Sequence, residues 1–138
     1  MFDSSARLSA ESKLARTARD VPTLLVTSAT TQLPPDLEKL GVQAIRAHDV
    51  GDALSQLKQG GIKSLMIEGG AGLAASFLGG GYVDRLTIFQ APVILGFGSL
   101  NAFSGVAGQD VDEAPRFRII KSVQLEDDVV TTYSVARQ

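Results

Sequence analysis

The chain has 138 residues, 44% of them hydrophobic, with 13 Lys plus Arg against 15 Asp plus Glu for a net charge of -2. That is enough chain for one domain with its own core, and we read residues 1–138 as a single unit. The lack of a basic block excludes nucleic-acid binding driven by phosphate neutralisation. With no Cys and one His, disulfides, thiolate nucleophiles, cysteine-ligated metals and a Ser-His-Asp triad drop out together. The polar start Met1–Arg7 has no apolar signal core, and no apolar run approaches the roughly 20 residues of a membrane helix. A soluble, cytoplasmic protein with no membrane partner is expected.

Taken in order, Val21–Thr27 is a short β-rich apolar run entered through Pro22, which predicts a buried strand. Pro34-Pro35-Asp36 opens a short helix over Asp36–Leu40, stopped at Gly41. Val42–Ala47 is a second strand. Asp49 to Asp52 cap a helix over Ala53–Gln59, with Val50, Leu54 and Leu57 on one face and Gly60-Gly61 as its stop. Ser64–Glu68 reads as a third strand, running directly into Gly69-Gly70-Ala71-Gly72. A helix over Leu73–Leu78 follows, ended by Gly79-Gly80-Gly81. Arg85–Ala91 alternates and continues through Pro92–Leu95 as a strong strand. Phe117–Val123 and Val129–Val135, around the acidic turn Glu126–Asp128, form an antiparallel hairpin. This order predicts an α/β sheet, partly parallel, with an antiparallel edge.

Glu68-Gly69-Gly70-Ala71-Gly72-Leu73 stands where a strand gives way to a helix. In an open α/β sheet ligands bind at such crossovers, because the helix start presents unpaired N–H groups and about half a positive charge. Glycines allow close approach of a phosphate, although a tight turn alone would also use them. Gly70-x-Gly72-x-x-Ala75 fits the loose dinucleotide pattern. Its mid-chain position, and the lack of an acidic residue about 20 positions on, argue against a Rossmann first turn and for a phosphate loop in another α/β fold. Glu68 would repel a phosphate unless it points away or binds substrate hydroxyls; pairing with the N–H groups of the following turn is the other reading. Asp110, Asp112 and Glu113 lack the oxygen alternation of a calcium loop and read as solvated. His48 reads as a surface or cap residue. Phe89, Phe97, Phe103 and Phe117 are expected in the core.

Ile67–Leu73, Phe77-Leu78, Tyr82-Val83-Asp84-Arg85-Leu86 and Ala91–Gly96, at this joint spacing, resemble the reductase domain of the bifunctional riboflavin-biosynthesis deaminase/reductase. Asp3-Ser4-x-x-Arg7-Leu8, Val21–Thr27 and Asp127–Tyr133 extend the resemblance over nearly the whole chain. It implies a dihydrofolate-reductase-like fold, NADPH as hydride donor, and reduction of the ribosyl group of 5-amino-6-(5-phosphoribosylamino)uracil to the ribityl level. It further implies that Gly69, Gly70, Ala71, Gly72 and Leu73 cradle the cofactor's pyrophosphate, and that Ser4, Arg7, Thr27 and Ser28 lie toward its adenosine half. Arg7 would neutralise a 2′-phosphate or stand solvated. Glu68 corresponds to the family's acidic residue beside the substrate's sugar chain.

The chain departs from the family in lacking its leading strand and helix, with their Lys and Ser-Leu-Asp-Gly stretch, and the loop bearing Thr-x-x-x-Asp-Asp-Pro. In the family these hold the substrate, so a truncated domain is expected whose unpaired central edge needs a partner or a rearrangement, and a homo-oligomer is expected. Two rival functions follow: a non-catalytic nucleotide-binding or oligomerising module, and an NADPH reductase of another pyrimidine or pteridine.

Overall fold

The computed structural model describes residues 1–105 and 114–135, and the acidic trio at 110, 112 and 113 lies outside them. Contacts divide the chain into two compact units, Met1–Leu65 and Met66–Gln138.

In the first unit, β1 (Leu24–Ser28) and β2 (Gln43–Ala47) pair in parallel, with Leu24 opposite Gln43 and Ser28 opposite Ala47. On the other side of β1, Phe2 bridges Val26 in parallel: Val26 N–H donates to the Met1 carbonyl at 2.8 Å and Asp3 N–H to the Val26 carbonyl at 2.9 Å. Consecutive β1 side chains face opposite ways and both ways are covered. Leu25 packs with Ala15, Ala18, Leu33, Leu37 and Val42, while Val26 packs with Ala47 and Ala53. This two-sided cover is why the strand reads as an unbroken apolar run and not an alternating one. Leu25 and Leu37 are fully enclosed, each worth about 1.5–3 kcal/mol of burial.

Three helices provide the cover: α1 (Lys13–Arg16), α2 (Pro35–Lys39) and α3 (Val50–Gln59). Pro35 occupies the first helical position of α2, where no N–H is needed. Asp49 caps α3 by accepting from Asp52 N–H at 2.8 Å. The same helix ends with Gly61 at φ +88°, and Ile62 N–H reaches back to the Leu57 carbonyl at 3.0 Å.

The second unit contains α4 (Ala71–Gly79) and an antiparallel sheet of β3 (Arg85–Gln90), β4 (Phe117–Leu125) and β5 (Asp128–Val135), in the order β3-β5-β4. The hairpin turns through Glu126, whose φ of +53° is the positive value that primed turns require at the first loop position. A bulge at Ile120 shifts the register of β4. Tyr133 meets Phe117 edge to face at 6.1 Å.

Three expectations are corrected. Residues 62–70, which include the expected third strand Ser64–Glu68, have no ladder partner among the described residues, and Met66 is 79% exposed. An apolar run announces that a strand wants cover; it does not supply the neighbour. β3 stops at Gln90 and does not run on through Pro92–Leu95, because Gln90 already faces Val129 near the start of β5 and Pro92 has no N–H to continue a ladder. Phe89 and Phe97 are exposed, not core.

Candidate functional site

In the first unit the expected residues gather where β1 ends. The Asp3 side chain is only 5% exposed: Oδ2 accepts from Leu8 N–H at 2.9 Å, and Oδ1 lies 3.7 Å from Arg7 Nε. With Ala6 N–H donating to the Asp3 carbonyl at 3.1 Å and Ala6 itself at φ +51°, residues 3–8 close into a tight turn on that carboxylate. Burying a polar carboxylate is costly unless such donors meet it. Arg7 is held from one side and is otherwise exposed, its guanidinium free to meet an anion.

Ser4 belongs to the same turn and is tied to the end of β1. Its carbonyl accepts from Ser28 N–H at 3.0 Å and from Thr31 Oγ1 at 2.8 Å. Ser28 Oγ and Thr31 Oγ1 stand 2.7 Å apart, and Thr31 N–H donates to the Ser28 carbonyl at 3.1 Å. Ser4 and Ser28 are thus brought together through Thr31, a residue the sequence reading passed over. Its signal was the hydroxyl-rich run Thr27-Ser28-Ala29-Thr30-Thr31 just past a strand. Thr27 faces the other way: it is 2% exposed, and its Oγ1 has no partner among the described residues. A ligand there would meet its backbone, not its hydroxyl.

In the second unit, Gly69 and Gly70 take successive positive φ values, +73° and +81°, which a side chain would strain. Gly70 is the N-cap of α4, and having no side chain it caps nothing. The first turn closes when Ala74 N–H donates to the Gly70 carbonyl at 2.9 Å, leaving the N–H groups of Ala71, Gly72 and Leu73 without acceptors among the described residues. The contrast with α3, whose start is capped by Asp49, is chemical: one helix end is satisfied by the protein's own carboxylate and the other has no side-chain cap. A Cβ built on Gly69 or on Gly72 meets nothing within 4 Å, so the space above the turn is clear. Ser104 N–H, donating to the Ala71 carbonyl at 3.1 Å, holds a loop against the helix start. Glu68 is exposed and its carboxylate accepts no hydrogen bond among the described residues, so it does not cap the turn that follows. Open N–H groups, bare glycines and a dipole end form a donor set that fits a diphosphate.

A family model, the RibD C-terminal domain, matches residues 1–131. The riboflavin biosynthesis protein RibD of Aquifex aeolicus is 31% identical over 113 residues, covering 80% of this chain and 31% of that protein. The 2,5-diamino-6-ribosylamino-4(3H)-pyrimidinone 5′-phosphate reductase of Methanothermobacter thermautotrophicus is 36% identical over 97 residues, covering 68% of this chain and 44% of that protein. The chain therefore spans less than half the length of either relative. Among solved structures, Acinetobacter baumannii RibD superposes with a TM-score of 0.84 at 23% identity, over 98% of this chain and 36% of that one. A pyrimidine reductase-like protein from Corynebacterium diphtheriae superposes with a TM-score of 0.78 at 21% identity, over 99% of this chain and 60% of that one. These likenesses show the mixed α/β, dihydrofolate-reductase-like fold. Carried by the match over residues 1–131, the conclusion is that this chain belongs to the RibD C-terminal domain family.

Proposed function

We propose that the chain is a single reductase-like domain that binds NADPH and reduces the ribosyl side chain of 5-amino-6-(5-phosphoribosylamino)uracil to the ribityl form, in the cytoplasm, as a homo-oligomer. The observation that carries this reading is the uncapped, glycine-opened start of α4 directly after an unpaired Glu68. Gly69, Gly70, Ala71, Gly72 and Leu73 would hold the pyrophosphate through backbone N–H groups. Ser4, Thr27 and Ser28 would line the adenosine half, with Arg7 opposite a 2′-phosphate.

Bound there, NADPH would supply the hydride that reduces the sugar's open-chain imine or aldehyde, with a proton taken up at its nitrogen or oxygen. The chain's own part is placement. The open turn would orient the diphosphate, and Glu68, with no hydrogen-bond partner among the described residues, would accept from sugar hydroxyls or pass a proton through one of them. The names of the relatives support this substrate class.

Titrating NADPH while following nicotinamide fluorescence, then adding the pyrimidine and following absorbance of the reduced cofactor, tests the reading. Binding followed by oxidation is expected. In Glu68→Gln, turnover should fall by about 10²-fold while NADPH affinity stays within about twofold; unchanged turnover removes Glu68 from the reaction. The exposed, unladdered stretch 62–70 favours the alternative of a nucleotide-binding module, which binding without oxidation would support.

A further inference from the structure

At the end of β1 the hydroxyl protons can be assigned by counting. Thr31 has one hydroxyl proton, and it goes to the Ser4 carbonyl at 2.8 Å. The 2.7 Å contact between Ser28 Oγ and Thr31 Oγ1 then needs its proton from Ser28, since two oxygens cannot share a hydrogen bond that neither donates. Ser28 is half-buried, and a ligand group that reaches its hydroxyl oxygen meets a lone pair, its proton being committed to Thr31. A phosphate at neutral pH presents lone pairs too, and would be repelled.

We propose that Thr31 is a positioning residue that locks Ser28 as a hydrogen-bond acceptor, so that Ser28 meets a ribose hydroxyl or adenine amino group common to NADPH and NADH and not the 2′-phosphate. The inference rests on the dinucleotide reading above. It leaves recognition of the phosphate to cations such as the exposed Arg7. Thr31 acts twice in this arrangement, because the same hydroxyl that orients Ser28 also ties down the Ser4 turn, 27 residues away in sequence.

The test measures dissociation constants of NADPH and NADH by nicotinamide fluorescence for wild type, Thr31→Val, Thr31→Ser, Ser28→Ala and the double variant Ser28→Ala/Thr31→Val. Thr31→Val should weaken both cofactors in parallel, by about fivefold, the worth of one ordinary hydrogen bond. Thr31→Ser should restore both to within about twofold of wild type. The double variant should lose less than the sum of the two single losses, because both changes break the Ser28–Thr31 contact and Thr31→Val adds only the loss of the tie to Ser4. A loss confined to NADPH in Thr31→Val would mean that Ser28 serves the phosphate, and would overturn the proposal; additive losses in the double variant would do the same. If Thr31→Val does not fold, Ser28→Ala decides: equal losses for the two cofactors support the proposal and a loss confined to NADPH overturns it. A wild-type chain that binds neither dinucleotide defeats the reductase reading and this inference together. Wild-type binding with an unchanged Thr31→Val defeats the inference alone.

Discussion

Asp52 shows how much a few local bonds can do to one group. His48 N–H donates to its Oδ2 at 3.0 Å and Gln56 Nε2 to its Oδ1 at 3.0 Å. Both bonds favour the charged form, so the carboxyl is held below the usual carboxylate range, the backbone bond from His48 contributing most and the Gln56 side chain next. A carboxyl whose folded value lies below its unfolded one contributes stability above the unfolded value, and that contribution fades as the pH falls through the folded one. Asp52→Asn should therefore melt below wild type near neutral pH, with the gap closing in acid; thermal melts across that range check it, and a gap independent of pH would refute the account. His48 itself matches its reading as a surface or cap residue: it is exposed, and its backbone N–H joins the cap. That much was legible, because capping acts within four residues. The roles of Asp3 and Thr31 were not, since each depends on which segment the fold brings beside it.

At the scale of elements, the start of α4 separates stability from binding. Gly70 sits at φ +81°, where an added Cβ meets only Leu73 Cβ at an ordinary 3.7 Å, so the penalty for Gly70→Ala is conformational, about 1–2 kcal/mol. Gly72 lies inside the helix with open space above it, and Gly72→Ala should gain up to about 1 kcal/mol of helix propensity. Both substitutions should weaken NADPH, the first by disturbing the turn and the second by filling the approach. Melting temperatures moving in opposite directions while affinities fall together is the expected pattern, read by calorimetry and fluorescence. A Gly72→Ala variant with wild-type affinity would place the diphosphate elsewhere. Helices α2, α3 and α4 were foreseen from Pro, Asp and Gly punctuation and from apolar spacing. Helix α1 was not, since its single turn of Lys13–Arg16 is too short to show a period. Ser64–Glu68 was read as a strand because apolar content signals a need for burial, whereas a ladder needs a second strand in register.

At the scale of the whole molecule, apolar exposure is the salient property. Phe89 on an edge strand is 72% exposed, Ile94 is 99% exposed, and Phe97 and Leu100 are equally open. Soluble monomers seldom leave so many large apolar side chains in water, and a net charge of -2 opposes association little. The proposed homo-oligomer gives them cover. Sedimentation at micromolar concentration should show a species of at least twice the chain mass, and Phe89→Asp should move the distribution toward monomer. A monomer at all concentrations would count against the homo-oligomer. Strands β1 and β2, helices α2 to α4, the C-terminal hairpin and the family were present in the linear chain, because caps, turns and apolar periods are written within a few neighbouring residues. Only the tertiary structure decided that Thr27 points inward, that Thr31 joins Ser4 to Ser28, and that residues 62–70 have no ladder partner among the described residues. Such outcomes depend on segments tens of residues apart meeting in space, and no local pattern encodes which of them will supply the missing donor, acceptor or strand.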